Sequence, residues 1–354
     1  MLARLWRVIR LGLAVPLAAA LAAATPPPSL PPRIVAVGDL HGDFVTWRKI
    51  ASAAGLVGSD GHWAGGRAIL VQVGDMVDRG PDSLKIVRDL MRLQKEASKK
   101  GGKVIVLTGN HEAMNVTGDL RYTTPADFAE YATPDSSALR DRLYQVKKAE
   151  IEAKYRAGDP SMTPAAIHDA WIKVTPLGWV EQRLAWAPDG EIGRWVIHNP
   201  AVAMVSGNLF VHGGLSAEYS KLPIAEINKQ VTTALSSIDR SPQSIINSPL
   251  GPLWYRGLVT RDPKATEIPA TGPPRPAIEQ ELTTVLSAYG ARRIIVGHTP
   301  NLAGIQLLYG GRLVTIDTGN SSYYGGPPSY LEIVGDRLIP HVVARSGAAG
   351  GGGE

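Results

Sequence analysis

The chain has 354 residues and a mass of 37.7 kDa, with 44% hydrophobic residues, 19% charged residues and a formal charge of +5. That composition excludes a disordered chain and leaves room for one large α/β domain or two smaller ones. Cysteine is absent, which excludes disulfides, thiolate metal sites and cysteine-dependent catalysis, and Phe occurs only at 44, 128 and 210, so the core must be mostly aliphatic.

The N-terminal segment reads as a leader. Arg4, Arg7 and Arg10 form a basic region, Leu11 to Ala24 is an uncharged Ala/Leu run, and Ala22-Ala23-Ala24 offers a small-residue cleavage site before Thr25-Pro26-Pro27-Pro28. The pattern predicts a secretory signal peptide over residues 1–24 and a periplasmic or secreted mature protein. An uncleaved anchor is the alternative, but the run is shorter than the roughly 20 residues a spanning helix needs, and Pro16 interrupts it. No later segment is long and apolar enough to span, so no stable membrane insertion is expected after cleavage. Removing the leader takes three positive charges from the +5, a weak basis for nucleic-acid binding, which is not expected. Lys95, Lys99, Lys100 and Lys103 fall at the end of an expected helix, where cations suit the dipole.

From Arg33 onward, β-branched runs alternate with helical stretches. Strands are expected at Ile34–Val37, Ala68–Val73 and Lys103–Leu107, with helices at Val45–Ala54 and Asp82–Lys100, the second capped by Asp82 or Ser83. This βαβαβ order predicts an α/β fold. Each strand ends at a Gly followed by a polar residue (Gly38-Asp39, Gly74-Asp75, Gly109-Asn110), and in open α/β sheets the sites form beyond the carboxyl ends of strands. The interval of about 116–207 differs: it is rich in Ala, Glu, Lys, Tyr and Trp, has a helical run near Ser137–Ala157, and is expected to be an inserted helical cap. The core pattern resumes at Leu209–Val211, Arg293–Val296 and Arg312–Ile316, and a terminal hairpin is expected from Tyr330–Val334 and Arg337–Val343. Pro263 to Pro276 reads as a surface loop, and residues 346–354 as a flexible tail.

Five motifs sit at these strand ends: Gly38-Asp39-Leu40-His41-Gly42, Gly74-Asp75-Met76-Val77-Asp78-Arg79-Gly80, Gly109-Asn110-His111-Glu112, His212-Gly213-Gly214 and Gly297-His298-Thr299-Pro300. Any one alone is a common turn; five in order are not. They offer carboxylate, imidazole and amide ligands, a set that suits Mn, Fe or Zn better than Ca. Two such ions can clamp the attacking and leaving oxygens of an in-line displacement and lower the pKa of bound water.

In type and order these motifs resemble the signatures of the phosphoprotein-phosphatase family of metallophosphoesterases, over about Arg33 to Gly326 with the cap as an unmatched insertion. Leu253-Trp254-Tyr255-Arg256 and Asp317-Thr318-Gly319 resemble the Shewanella-like branch. The resemblance implies a calcineurin-like metallophosphoesterase fold over residues 25–345, a central β-sandwich flanked by helices. It implies two divalent ions, with Mn expected first and Fe or Zn as alternatives. Asp39 and His41 would hold one ion, Asp75 would bridge, and Asn110, His212 and His298 would hold the second. His111 would be the general acid, oriented by Asp78; Arg79 and Arg256 would grip phosphate, and Asn110, Tyr323 and Tyr324 would line the substrate side. Independently, an alkoxide leaving group needs a proton that a positioned His can give, and an Arg fork matches phosphate oxygens.

The expected reaction is phosphomonoester hydrolysis on phosphorylated protein or peptide, at phosphotyrosine or phosphoserine/threonine. A small phosphorylated molecule or dinucleoside polyphosphate is the alternative substrate, and a catalytically silent metal- or phosphate-binding protein the alternative class; the oligomeric state stays open. Asp43 and Glu112 are expected to support the site without ligating. His62, His168, His198 and His341 are expected at the surface or in packing. Trp171, Trp179, Trp186 and Trp195 are expected to form a hydrophobic core of the cap, or a wall against substrate.

Overall fold

The computed structural model describes residues 32–266 and 275–345; the expected leader and tail lie outside them. In chain order the elements are β1 (Ile34–Val37), α1 (Phe44–Ala53), β2 (Ile69–Gln72), α2 (Ser83–Lys99), β3 (Lys103–Val106), α3 (Asn110–Thr117), α4 (Pro125–Ala129), α5 (Ser136–Gly158), α6 (Pro164–Val174), α7 (Trp179–Trp186) and α8 (Glu191–His198). They continue as β4 (Val202–Val205), β5 (Asn208–Val211), α9 (Ile224–Ser236), α10 (Pro263–Thr266), α11 (Ile278–Tyr289), β6 (Arg293–Val296), β7 (Gln306–Leu308), β8 (Leu313–Thr315), β9 (Ser329–Val334) and β10 (Arg337–Val342).

The strands form two five-stranded sheets, ordered β10-β9-β1-β2-β3 and β4-β5-β6-β8-β7. Side chains alternate across a strand, and here both faces of each sheet are apolar. Ile34, Ala36, Val71, Phe210, Ile295, Val314 and Ile333 fill the layer between the sheets, whereas Val35, Val37, Leu70, Leu209, Val211, Ile294 and Val296 face the helices. That two-sided burial explains why the strands read as continuous apolar runs rather than alternating ones. Strands β1, β2 and β3 are mutually parallel, as are β5, β6 and β8. Consequently the loops after six strands emerge at the carboxyl ends, where the motifs sit. Among the described residues no helix is long and apolar enough to cross a membrane.

The interval expected to be helical is narrower than 116–207: helices α4 to α8 occupy Pro125–His198, while Thr117 still belongs to α3 and β4 lies at Val202–Val205. A four-residue apolar run such as Val-Ala-Met-Val carries too little periodicity to separate strand from helix. The four tryptophans do not form one cap core. Trp171 packs against Tyr144 within the cap, but Trp186 and Trp195 join the main core, with Trp195 Nε1 donating to Gln94 Oε1 of α2 at 2.8 Å. Strand β7 went unforeseen because three residues of mixed burial give no pattern, and the loop around Pro263 contains the short α10.

Helix α2 buries Leu84, Ile86, Val87, Leu90, Leu93 and Ala97 on one side, as its 3.6-residue period requires. Asp82 is its N-cap without a side-chain cap bond, and Ser83 Oγ instead accepts the Asp78 amide at 3.0 Å. Near its far end Glu96 accepts the Trp63 amide and the Arg92 guanidinium and faces His62 Nδ1 at 2.8 Å. Burial pushes the Glu96 pKa up, but the Trp63, His62 and Arg92 partners outweigh it and hold the group at about 2. A depressed carboxylate stabilises above its unfolded pKa and loses that contribution as pH falls through the folded one. Because its His62 and Arg92 partners are partly solvent-exposed and screened, Glu96→Gln should cost only about 1 kcal/mol in urea unfolding at pH 7. The difference from the parent should shrink steadily between the ordinary value of 4.5 and about 2.

Candidate functional site

Asp39 and His41 follow β1; Asp75, Asp78 and Arg79 follow β2; Asn110 and His111 open α3 after β3; His212 follows β5, and His298 follows β6. The structure brings all of these together, almost entirely buried apart from the half-buried Arg79. The two sheets are stitched at this edge: the His298 amide donates to the Asp39 carboxylate at 3.1 Å and the His212 ring meets the Val73 carbonyl at 2.9 Å, while within the first sheet the Leu40 amide donates to the Asp75 carbonyl at 2.9 Å. The turns are tight enough to force non-glycine residues into the left-handed region: His41, Asp75, Asp78, Arg79 and His298 have φ of 42°, 54°, 68°, 70° and 64°. Such strain costs on the order of 1 kcal/mol or more per residue and concentrates at functional sites. Gly74 relieves one step of it: its φ is 100°, and a Cβ there would lie 2.9 Å from His212 Nδ1.

Asp75 sits at the centre. Its carboxylate lies 3.3 Å from His212 Nε2, 3.9 Å from His41 Nε2 and 3.8 Å from His111 Nε2. Asp39 Oδ2 is 3.9 Å from His41 Nε2. Asp75, His212 and His298 form one group whose ligand atoms all fall within 4.8 Å, and His41, Asp75 and His111 form a second. Backbone carbonyls fix which nitrogen is free: His212 Nδ1 donates to Val73 and His41 Nδ1 to Val77 at 3.1 Å, leaving both Nε2 lone pairs turned inward. His212 Nε2 and Asn110 Oδ1 then face each other at 2.9 Å as two acceptors, and His298 Nε2 is buried without a partner. Cations bound among these groups would satisfy the inward lone pairs.

The charges agree. Burial, His111 and Arg79 outweigh the pull of Asp75 and lower His41 to about 3; burial, His212 and Arg256 push His298 well down, so both rings are neutral donors. Burial and the neighbouring Asp317 and Asp75 charges raise Asp39 well above the carboxylate range. Burial likewise lifts Asp75, but His212 and His111 overcome it and hold the group well below its usual value. A mixed Asp/Asn/His set of this kind fits a pair of divalent transition ions. Glu112, fully buried, accepts the amides of Asp75, Met76 and Gly109 at 2.8–2.9 Å and so fastens two ligand loops together. Asp43 caps α1 through Thr46 and also accepts the Ser322 amide.

Beside this cluster, His111 Nδ1 meets Asp78 Oδ2 at 2.7 Å. Burial disfavours the imidazolium, but the Asp75 charge and the Asp78 bond and charge outweigh it and raise the His111 pKa. Arg79 lies alongside, its Nη2 3.5 Å from His111 Nε2, with its guanidinium carbon 4.6 Å from the Tyr122 ring and 5.3 Å from those of Tyr323 and Tyr324. Tyr324 also packs on the His41 ring at 5.4 Å. Arg256 bears on His298 by its charge while Nη1 donates to the Ala265 carbonyl at 3.4 Å.

Sequence reasoning assigned no role to Tyr122, Asn115 or Thr123, and it marked Asp317 only through the resemblance of Asp317-Thr318-Gly319, without a ligand or catalytic role. Asp317 follows a strand and precedes Thr-Gly, a strand-end signal like those of the candidate ligand loops; burial raises it to about 6 beside Asp39. Tyr122 lies at the entry to the cap, where no local pattern marks it. His62, His168, His198 and His341 lie outside the site, paired with Glu96, Tyr144, the Arg194 carbonyl and Tyr330 respectively.

The chain belongs to the calcineurin-like phosphoesterase family, whose model matches residues 32–302. It is similar to Shewanella-like protein phosphatase 2 of Arabidopsis thaliana, 34% identical over 86% of this chain and 75% of that relative. Shewanella-like protein phosphatase 1 of Plasmodium berghei is 29% identical over 85% of this chain and 71% of its own length. In fold the chain is similar to the cold-active protein-tyrosine phosphatase of a psychrophilic Shewanella species, with a TM-score of 0.62 at 23% identity, covering 89% of this chain and 81% of that one.

A Cβ at Gly109 would lie 2.3 Å from Asp75 Oδ1 and 2.5 Å from its amide. Gly109→Ala should therefore keep the fold by circular dichroism but bind Mn or Zn about tenfold more weakly by calorimetry, since it displaces the central carboxylate.

Proposed function

We propose that this protein is a two-metal phosphomonoesterase acting on phosphorylated side chains of proteins or peptides, and that it works outside the cytoplasm after removal of its leader. The observation that carries the chemistry is the His111–Asp78 pair, buried beside Asp75 and flanked by Arg79. Asp39, His41, Asp75, Asn110, His212 and His298 would hold two divalent ions, Mn first among candidates with Fe or Zn as alternatives. Such ions supply Lewis-acid polarisation of phosphoryl oxygens and activation of water.

The chain's own groups do the rest. Arg79 and Arg256 bind the non-bridging phosphate oxygens, with Arg79 held in place by the rings beneath and beside it. His111 donates its Nδ1 proton to Asp78, so its Nε2 proton faces the leaving oxygen, and the Asp78 carboxylate favours the imidazolium that delivers it. Tyr122, Tyr323 and Tyr324 surround Arg79 and offer apolar faces to an aromatic leaving group. They support phosphotyrosine over phosphoserine. The similarity to protein phosphatases of the Shewanella-like type supports a protein substrate.

The test is chelation followed by add-back of Mn, Zn or Mg, with phosphate release read from p-nitrophenyl phosphate, a phosphotyrosine peptide and a phosphoserine peptide. Metal-dependent turnover should collapse in Asp75→Asn, and His111→Ala should lose roughly 10²–10⁴-fold on the peptides. Turnover confined to a dinucleoside polyphosphate would move the substrate to a small molecule, and none with any ester in a metal-loaded protein would leave a binding protein. Tyr122→Ala should raise KM for the phosphotyrosine peptide by about fivefold more than for the phosphoserine peptide, the aromatic contact being worth about 1 kcal/mol and the loosening of Arg79 being common to both.

A further inference from the structure

Helix α7 of the cap reaches the catalytic pair through one buried chain of side chains. Gln182 Nε2 donates to Asn115 Oδ1 at 2.8 Å, Asn115 Nδ2 donates to both Asp78 oxygens at 3.1 Å, and Asp78 Oδ2 meets His111 Nδ1 at 2.7 Å. All four residues are at most 2% exposed. The neighbouring Arg183 donates to the Asn115 and Val116 carbonyls, and Arg240 donates to that of Thr117, so the last carbonyls of α3 are fastened from outside the helix. Thr123 Oγ1, at the cap entry, donates to Asp78 Oδ1 at 2.8 Å.

We propose that Gln182 is a positioning residue for the general acid, and that the cap acts on catalysis through this buried contact. The chain has a fixed polarity. An ionised Asp78 only accepts, so Asn115 must turn Nδ2 toward it; Asn115 Oδ1 then needs a donor on the opposite side. Gln182 Nε2 is that donor, while its own Oε1 has no partner among the described groups. A second pull acts on the same amide, because Asn115 Nδ2 also lies 3.0 Å from the His111 carbonyl one turn earlier in α3. Without Gln182, no other donor among the described residues holds Oδ1, and the amide is free to rotate away from Asp78. The Asp78 carboxylate then loses one of the bonds that aim it, and with it the His111 ring loses its fixed direction.

The proposal rests on His111 being the acid, and the test separates the two claims. Poor leaving groups need the proton and good ones do not, so kcat/KM is compared on phenyl phosphate and 2,4-dinitrophenyl phosphate with Mn-loaded protein. Gln182→Met, of similar shape but without a donor, should lose about tenfold on phenyl phosphate and stay within about twofold on the dinitrophenyl ester. Gln182→Glu should lose more, about a hundredfold on phenyl phosphate, because a carboxylate opposite Oδ1 drives the amide to the wrong orientation. Equal losses on both esters, or none, would overturn the proposal. His111→Gln is the reference: if it shows no leaving-group preference the acid assignment itself fails, and if it does while the Gln182 variants do not, only the role of Gln182 fails. A reading independent of turnover is the downfield proton resonance of His111 Nδ1–H in metal-free protein, assigned by its loss in His111→Gln. Its solvent exchange should quicken at least about tenfold in Gln182→Met, and an unchanged resonance would refute the relay.

Discussion

Four carboxylates, those of Asp39, Asp75, Glu112 and Asp317, are buried within range of one another's charge. Burying even one unpaired carboxylate is costly, and the usual escape is protonation or a bound cation. Much else in the molecule follows from keeping this cluster intact. The backbone accepts left-handed turns at His41, Asp75 and His298, Glu112 ties three amides together, and two peptide carbonyls fix the imidazole tautomers. The apolar layer between the sheets supplies the rigidity that holds these strained turns in place, for instance through Val71 and Val73 beneath the Asp75 loop. Stability is given up locally so that donors face an interior that would otherwise repel them.

The candidate ligand loops were legible because metal-ligand chemistry allows few residue types and the fold places each at a strand end. Asp39, Asp75, Asn110, His212 and His298 could be read from short motifs, and β1, β2, β3 and β6 from apolar runs. What the sequence hid was tertiary in origin. Tyr122 and Gln182 belong to a segment whose local pattern says only that it is helical, and their meaning comes from what they touch across the fold. The cap tryptophans misled for the same reason: spacing along the chain suggested one cluster, whereas Trp186 and Trp195 turn toward the main core. Short strands such as β4 and β7 exist because neighbours pair with them, and no propensity announces that.

The cap is therefore better described as part of the frame than as a lid laid over it. Trp195 bonds to α2, Trp186 packs into the main core, and Arg183 fastens the end of α3. A helix whose first turn supplies Asn110 and His111 is thus braced at its other end by residues from the insertion and from the segment after α9. Sequence variation in the insertion can reach the reacting centre without any change in a ligand.

The bond between the Asp39 carboxylate and the His298 amide joins residues 259 positions apart. The candidate ligands come from both sheets, and the last of them in chain order, His298, follows β6. No N-terminal fragment, however well its own sheet forms, assembles the complete set of donors. An ion held by the whole set could therefore be bound only once β6 has docked beside β1, so loading would follow the pairing of the two sheets instead of guiding the first of them.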